Sequence, residues 1–280
     1  MHDRGIETSR AHTFAIGGFS EPISYDWHFH RRHQLICAFE GTLAVESRGR
    51  RHMIPSRRAA LIPAGLAHRT CQGFAGPKRP DSRSRIASVF LSPVSIALPR
   101  SELVVFHSPS LLGEMIDRSL AWGPEHEPTQ LSESFFQTIA LLCVEWTQCP
   151  VPFWLPETDH PRIREALRVV ATRISEADES MMAGICGMSE RTFRRQFPLA
   201  MGMPWREYIT RARLLRAAEE LATPGAGVAE TAWRVGYNSV AAFTNAFHNF
   251  TGQTPSQYRQ RRIATEPEPA CRPYERTKAR

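Results

Sequence analysis

The sequence predicts two domains, β then all-α. A small β-barrel or jelly roll with following helices comes first, and two helix-turn-helix units joined by a long helix come second. Three observations predict this. Short apolar runs of strand length, broken by turn residues at roughly 8–12-residue intervals, fill residues 13–106. From Pro161 onward apolar residues recur three or four apart, the period of a helix face. The second half also carries an internal repeat. At 280 residues the chain has room for about two domains.

Residues 1–12 are polar and expected to be loose. The strand-length runs are ISYDWHF, QLICAFEG, TLAVESR, AALIPAG and IASVFLS. Within the barrel, His28 and His30 lie two apart, so a strand points both to one face. His68 follows the turn Pro63-Ala64-Gly65-Leu66-Ala67 and can join them from a neighbouring strand. Three convergent imidazoles suit a divalent metal. They also line a metal-free pocket, which is the reading the residues favour, and both readings stand at this point. No other cofactor is expected.

Residues 107–149 read as two helices. SPSLLGEMIDRSLAW carries Leu111, Leu112, Met115, Ile116 and Leu120 on one face. LSESFFQTIALLCVEW carries Leu131, Phe135, Ile139, Leu142 and Trp146 on another. These stripes are expected to dock on the barrel and to offer a homodimer surface. Residues 150–160, rich in proline, read as a linker.

The helical unit spans 161–263. A first helix carries Ile163, Leu167, Val170 and Ile174. The stretch from Val228 then places Val228, Ala232 and Val235 on one face, breaks at Gly236, and restarts with Ser239 as N-cap. Phe243, Phe247 and Phe250 form the inner side of that second helix. A short helix, a glycine turn and a second helix with a buried aromatic face make a helix-turn-helix. Ala183, Phe193, Phe197, Gly202 and Tyr208 line up with Ala232, Phe243, Phe247, Gly252 and Tyr258 at offsets of 49, 50, 50, 50 and 50. A lone hairpin of this kind can simply pack; two copies suit a reader of successive major-groove segments.

Charge agrees with an anionic partner. The net charge is +7, and between Arg162 and Arg262 fifteen arginines face nine acidic residues. Lysine occurs only at 78 and 278, so the cations are guanidinium forks suited to phosphate and guanine. The six cysteines form no CxxC pair, and several sit in apolar runs. The start has no apolar core for a signal peptide and no window reaches a membrane span, so a soluble, cytoplasmic protein is expected. The tail 264–280 is polar and Pro-rich and expected to be disordered.

Two resemblances emerge from these residues. HxH followed by PxGxxH resembles the two metal motifs of the cupin fold, where a Glu usually follows the second His by four residues. Here that position is Gln34. Ala232, Gly236, Tyr237, Ser239, Phe243, Phe247, Gly252, Pro255, Tyr258 and Arg259, with the matching earlier copy, resemble the AraC family of bacterial transcription regulators. The likeness covers about residues 14–262. It implies a sequence-specific regulator, not an enzyme, with double-stranded DNA as partner and a small-molecule effector in the N-terminal barrel. It implies RNA polymerase as a further partner if the protein is an activator, and no membrane.

Carried over residue by residue, the resemblance assigns DNA contact to Ser189, Glu190, Arg191, Arg194 and Arg195 in the first unit. In the second it assigns Asn238, Ser239, Val240, Ala241, Thr244, Asn245 and His248. The effector pocket would be lined by Trp27, His28, His30, Gln34 and His68, with His28, His30 and His68 as the metal set. Rival readings are a metal-dependent cupin enzyme with an accessory helical domain, and an architectural DNA binder without effector. The Gln34 substitution removes a charged ligand and argues against the enzyme.

Overall fold

The computed structural model describes residues 9, 11–20, 24–56, 58–72, 84–94, 101–223 and 225–260. The tail 264–280 and nearly all of segment 1–12 lie outside the described residues.

Sheet-rich structure precedes helices, as the composition requires. The strands are β1 (Phe14–Ser20), β2 (Tyr25–His28), β3 (His33–Glu40), β4 (Thr42–Ser47), β5 (Arg50–Pro55), β6 (Arg58–Ile62), β7 (His68–Gln72), β8 (Ser84–Leu91), β9 (Val104–His107) and β10 (Trp154–Pro156). Among the described residues they form two antiparallel sheets, ordered β1-β8-β3-β6-β9 and β10-β5-β4-β7-β2. Strand β3 shows why QLICAF is apolar throughout rather than alternating. Leu35 and Cys37 pack toward two helices, while Ile36 and Ala38 join Val45, Ile54 and Ile62 on the other face. Both faces are covered. Gln34 shares the inner face with Ile36, because side chains alternate along a strand.

The two helices against this sheet are α1 (Ser110–Ser119) and α2 (Gln130–Trp146). Thr129 caps α2 by accepting from the Ser132 N–H, with the Ser132 hydroxyl returning to the Thr129 N–H. The expected stripes are partly corrected. Helix α1 buries Leu112, Met115 and Ile116 but leaves Leu111 exposed. Helix α2 buries Phe136, Ile139, Ala140 and Cys143 and leaves Leu131 exposed. Doublets such as Phe135-Phe136 and Leu141-Leu142 make two adjacent faces apolar, so sequence period alone does not choose between them.

The Pro-rich stretch read as a linker contains a strand. Trp154, Leu155 and Pro156 pair with His52, Arg51 and Arg50 of β5 at the end of a sheet, where a proline's missing N–H breaks no ladder. Phe153, just before β10, is fully buried and its carbonyl accepts from the Met53 N–H at 2.7 Å. The Arg58 guanidinium lies 4.9 Å from its ring centre.

From Pro161 the chain is helical: α3 (Pro161–Thr172), α4 (Glu179–Ile185), α5 (Glu190–Met201), α6 (Trp205–Leu221), α7 (Val228–Arg234), α8 (Val240–Thr251) and α9 (Pro255–Gln260). Phe250 of α8 stacks on Phe153 at 5.3 Å with 6° between the rings. Arg58 also reaches to 5.3 Å from the Tyr258 ring of α9. Trp154 is sandwiched between Arg50 of the sheet at 4.5 Å and Arg211 of α6 at 4.6 Å. Sheet and helices therefore share one seam centred on Phe153.

Truncating a fully buried Phe typically costs ~3–5 kcal/mol. Phe153→Ala is expected to lower unfolding free energy in guanidinium by about that amount. A loss under about 1 kcal/mol would show that the seam is already open in solution.

Candidate nucleic-acid interface and histidine cluster

The two repeats fold alike, down to individual bonds. Ser189 caps α5 by accepting from the Thr192 N–H at 3.2 Å, and Ser239 caps α8 by accepting from the Ala242 N–H at 3.3 Å. Both helices end on a left-handed glycine, Gly202 and Gly252. In the turns, Met188 N–H donates to the Ala183 carbonyl and Tyr237 N–H to the Ala232 carbonyl, each at 2.9 Å. Phe193 and Phe197 lie 5.1 Å apart, Phe243 and Phe247 5.5 Å apart. Tyr208 meets Phe197 edge-on at 5.6 Å, and Tyr258 meets Phe247 in the same way at 5.3 Å.

One side chain joins the two units. Arg213 of α6 donates to the carbonyls of Ile174 at 3.4 Å, Ala177 at 3.3 Å and Gly236 at 3.2 Å. The entry to the first unit and the turn of the second are thus tied to a single guanidinium. Burial pulls the pKa of Arg213 below its usual value. Sequence reasoning missed this residue, since an arginine on a basic helix looks like any other solvated charge.

On α5, Ser189, Glu190, Arg191, Arg194 and Arg195 are all exposed, opposite the buried Phe193 and Phe197. The arginines are not equivalent. Arg194 pairs with Glu179 of α4 and with Glu190 at 3.2 Å. Arg191 and Arg195 make no ion pair among the described residues. On α8, Asn238, Ser239, Ala241, Asn245 and His248 are exposed, whereas Val240 and Thr244 are half-buried.

In the N-terminal sheets, β2 and β7 bring His28 opposite His68, and the loop after β2 returns His30 to them. One ligand atom of each histidine lies within 4.8 Å of the others. The rings of His28 and His68 are 4.3 Å apart, those of His30 and His68 5.1 Å. Each Nδ1 meets a backbone carbonyl: Asp26 for His28 at 2.7 Å, Arg32 for His30 at 2.6 Å, and Leu66 for His68 at 2.8 Å. Gln34 Oε1 is 3.0 Å from His30 Nε2, and Gln34 Nε2 donates to the Ser88 hydroxyl at 2.9 Å.

Burial is the main reason the His68 pKa falls to about 3, with His28 and His30 adding to the fall and the Leu66 bond opposing it. His68 is therefore a neutral imidazole, the form that binds metals. Its Nε2 is buried and meets no hydrogen-bond partner among the described residues. The three histidines thus fit a metal, by donor type and by an acceptor atom left over.

Trp27 does not belong to this cluster. Strand alternation sends it to the outside, where Arg69 lies 5.5 Å from its ring. His33 likewise turns away and accepts from the Ala64 N–H at 2.9 Å. Ser88 and Phe90, the latter 5.2 Å from the His30 ring, were not legible as neighbours because β8 is far away in sequence.

A helix-turn-helix domain family matches residues 182–261. Over 274 residues the chain is 28% identical to the HTH-type transcriptional regulator NimR of Escherichia coli K12, covering 95% of both chains. It is 29% identical over 144 residues to the HTH-type transcriptional activator RhaR of Pectobacterium carotovorum, covering 49% of this chain and 48% of that one. Among solved structures, ToxT from Vibrio cholerae O395 is 14% identical with a TM-score of 0.35, covering 88% of this chain and 95% of that one. Residues 182–261 are a helix-turn-helix domain of the AraC type.

The domain match and these relatives support a DNA-binding transcription regulator over the cupin-enzyme alternative. Double-stranded DNA is its partner. No helix among the described residues is long and apolar enough to cross a membrane.

The turn glycines of the two units carry different constraints. Gly187 and Gly236 both have positive φ, at 63° and 87°. A Cβ at Gly187 would meet nothing closer than an Arg162 nitrogen at 3.9 Å, whereas at Gly236 it would lie 2.9 Å from the Ser175 backbone. Gly187→Ala is expected to cost roughly 1–2 kcal/mol from the left-handed backbone alone. Gly236→Ala should cost at least ~1 kcal/mol more, through the clash. Urea denaturation of the two variants side by side tests the order; equal losses would contradict the packing at Gly236.

Proposed function

We propose that the regulator reads two successive major-groove segments, with α5 and α8 as the two recognition helices. Residues 13–106, a jelly roll of the cupin kind on this reading, sense a small effector. Residues 107–149 extend that half and offer a homodimer surface. Residues 161–263 form the DNA-binding half. The observation that carries this reading is the pairing of two near-identical units, each presenting a capped helix whose polar side is exposed.

In the first unit, Arg191 and Arg195 are the base-reading candidates, with Ser189 and Glu190 at the helix start. Arg194 must leave two carboxylates before it can reach DNA. In the second unit Asn245 is suited to an adenine edge and Ala241 to a thymine methyl. Asn238, Ser239 and His248 are placed for phosphates, with Val240 and Thr244 supporting from the half-buried side. This helix offers no arginine, so the first unit carries more of the sequence discrimination.

The effector reading is supported by the histidines. A separate cavity of ≈ 450 Å³ opens on the outer side of the same sheet, beside Tyr25, Asp26, Glu46, Arg51 and Arg69. Its polar lining suits a small charged or hydroxylated molecule. The protein acts in the cytoplasm, with RNA polymerase as a further partner if it activates.

Footprinting on the DNA upstream of its own gene tests the reading. Wild type should protect two segments about one helical turn apart, ~34 Å. Arg195→Ala and Arg191→Ala should each weaken the specific site by ~1–3 kcal/mol, roughly 5–150-fold, and relax sequence preference. Arg194→Ala should do less. Uniform weakening across all sequences would assign these arginines to phosphate contact, and no footprint on any fragment would overturn the regulator's two-groove reading.

A further inference from the structure

We propose that the cavity on the outer side of the second sheet binds a zwitterion of the amino-acid type. Arg51 and Arg69 would hold its carboxylate and Asp26 its ammonium. This is a second site, apart from the histidine cluster, and it stands whether or not the histidines hold an effector.

Strand alternation makes the separation. Val45 and His68 turn inward, so their neighbours Glu46 and Arg69 turn outward, with Arg51 and Cys71 on the same face. Glu46 of β4 lies opposite both Arg51 of β5 and Arg69 of β7, one carboxylate between two guanidiniums. Arg69 donates through Nε to Glu46 Oε2 at 2.7 Å, and Arg51 Nε lies 3.7 Å from Oε1. The Cys71 thiol completes the group. Its Sγ accepts from Arg51 Nη2 at 3.3 Å and donates to Glu46 Oε1 at 3.6 Å. Burial pushes this thiol's pKa up, so it adds no charge.

An ordinary cross-strand ion pair lies in solvent and calls for no ligand. Here the Glu46 side chain is only 9% exposed, yet a cavity of ≈ 450 Å³ opens beside it. That volume lies within the range of small-molecule pockets. The signs of the charges decide the class of ligand. Two guanidiniums share one carboxylate, which leaves one positive charge on the cavity wall. Glu157 also acts on both guanidiniums from outside the lining, but burial favours its neutral form. Asp26, on β2, supplies the opposite charge. It is exposed, its Oδ1 accepts from the Trp27 N–H at 2.8 Å, and it makes no ion pair among the described residues. A monoanion would face Asp26, and a cation would face the surplus guanidinium; a molecule carrying both charges satisfies each. The planar fork of arginine is matched to a carboxylate. Arg51 is also the register partner of Leu155 in β10, so the cavity wall and the seam share a strand pair.

The test titrates the full-length chain, dialysed free of amino acids, with each of the standard L-amino acids in a calorimeter. At least one should bind at one equivalent. Its decarboxylated amine and its deaminated acid should each bind roughly tenfold more weakly or worse. Asp26→Asn and Arg69→Gln should each lower affinity for that amino acid about tenfold. Asp26 is exposed, so its variant carries the test if Arg69→Gln does not fold by circular dichroism. His28→Gln should leave the affinity unchanged; a loss there would move the ligand to the histidines and overturn this assignment. No binding by any amino acid, equal binding of an analogue lacking one charge, or unchanged affinity in the Asp26 and Arg69 variants would overturn it as well. The same protein is footprinted in parallel. DNA protection without amino-acid binding sinks this inference alone, and no protection in any state sinks the two-groove reading.

Discussion

The stack of Phe153 on Phe250 is the contact on which the relation between the two halves depends. Phe153 is held from the sheet side, its carbonyl by the Met53 N–H and its ring by the Arg58 guanidinium. Phe250 sits near the end of α8, one turn beyond the buried Phe247. Buried aromatic pairs of this kind combine large apolar area with a defined geometry. Helix α8 is therefore seated on the sheet rather than hung from a tether. A displacement of β5 reaches α8 through two contacts, the β5–β10 pairing and this stack. Allosteric control needs an element that links two sites, and the seam is the contact that links the sheet to α8.

The helical half was largely legible in the sequence because its rules are local. Caps, glycine turns and three-to-four periodicity lie within a few residues of one another, and the fifty-residue repeat checks each unit against the other. The strands were legible as strands, but their partners were not. Nothing in CPVPFWLPETDHP announces that Trp154–Pro156 will pair with β5, since prolines equally mark a linker and a sheet end. The stripe on α2 slipped for a related reason: doublets of apolar residues leave the choice of face to the sheet that receives them.

The histidine cluster shows the same division. The spacing of His28 and His30 and the turn before His68 announced a convergence, and the three rings do converge. Trp27 follows the opposite side of the strand, as alternation demands once the position of His28 is fixed. What no spacing reveals is the set of carbonyls behind the rings, because these belong to loop conformation. Likewise Arg191, Arg194 and Arg195 look interchangeable in a list, and the carboxylates of Glu179 and Glu190 separate Arg194 from the other two.

Arg213 sets a final property of the molecule. Its bonds to Ala177 and Gly236 make the separation and phase of the two units a feature of the folded chain, like the gap of a caliper. A caliper measures. On the two-groove reading, DNA whose two segments are spaced or phased differently has to bend or twist to fit, and that deformation depends on base pairs the protein never touches. Distance between the two segments then belongs to what is recognised, alongside their bases.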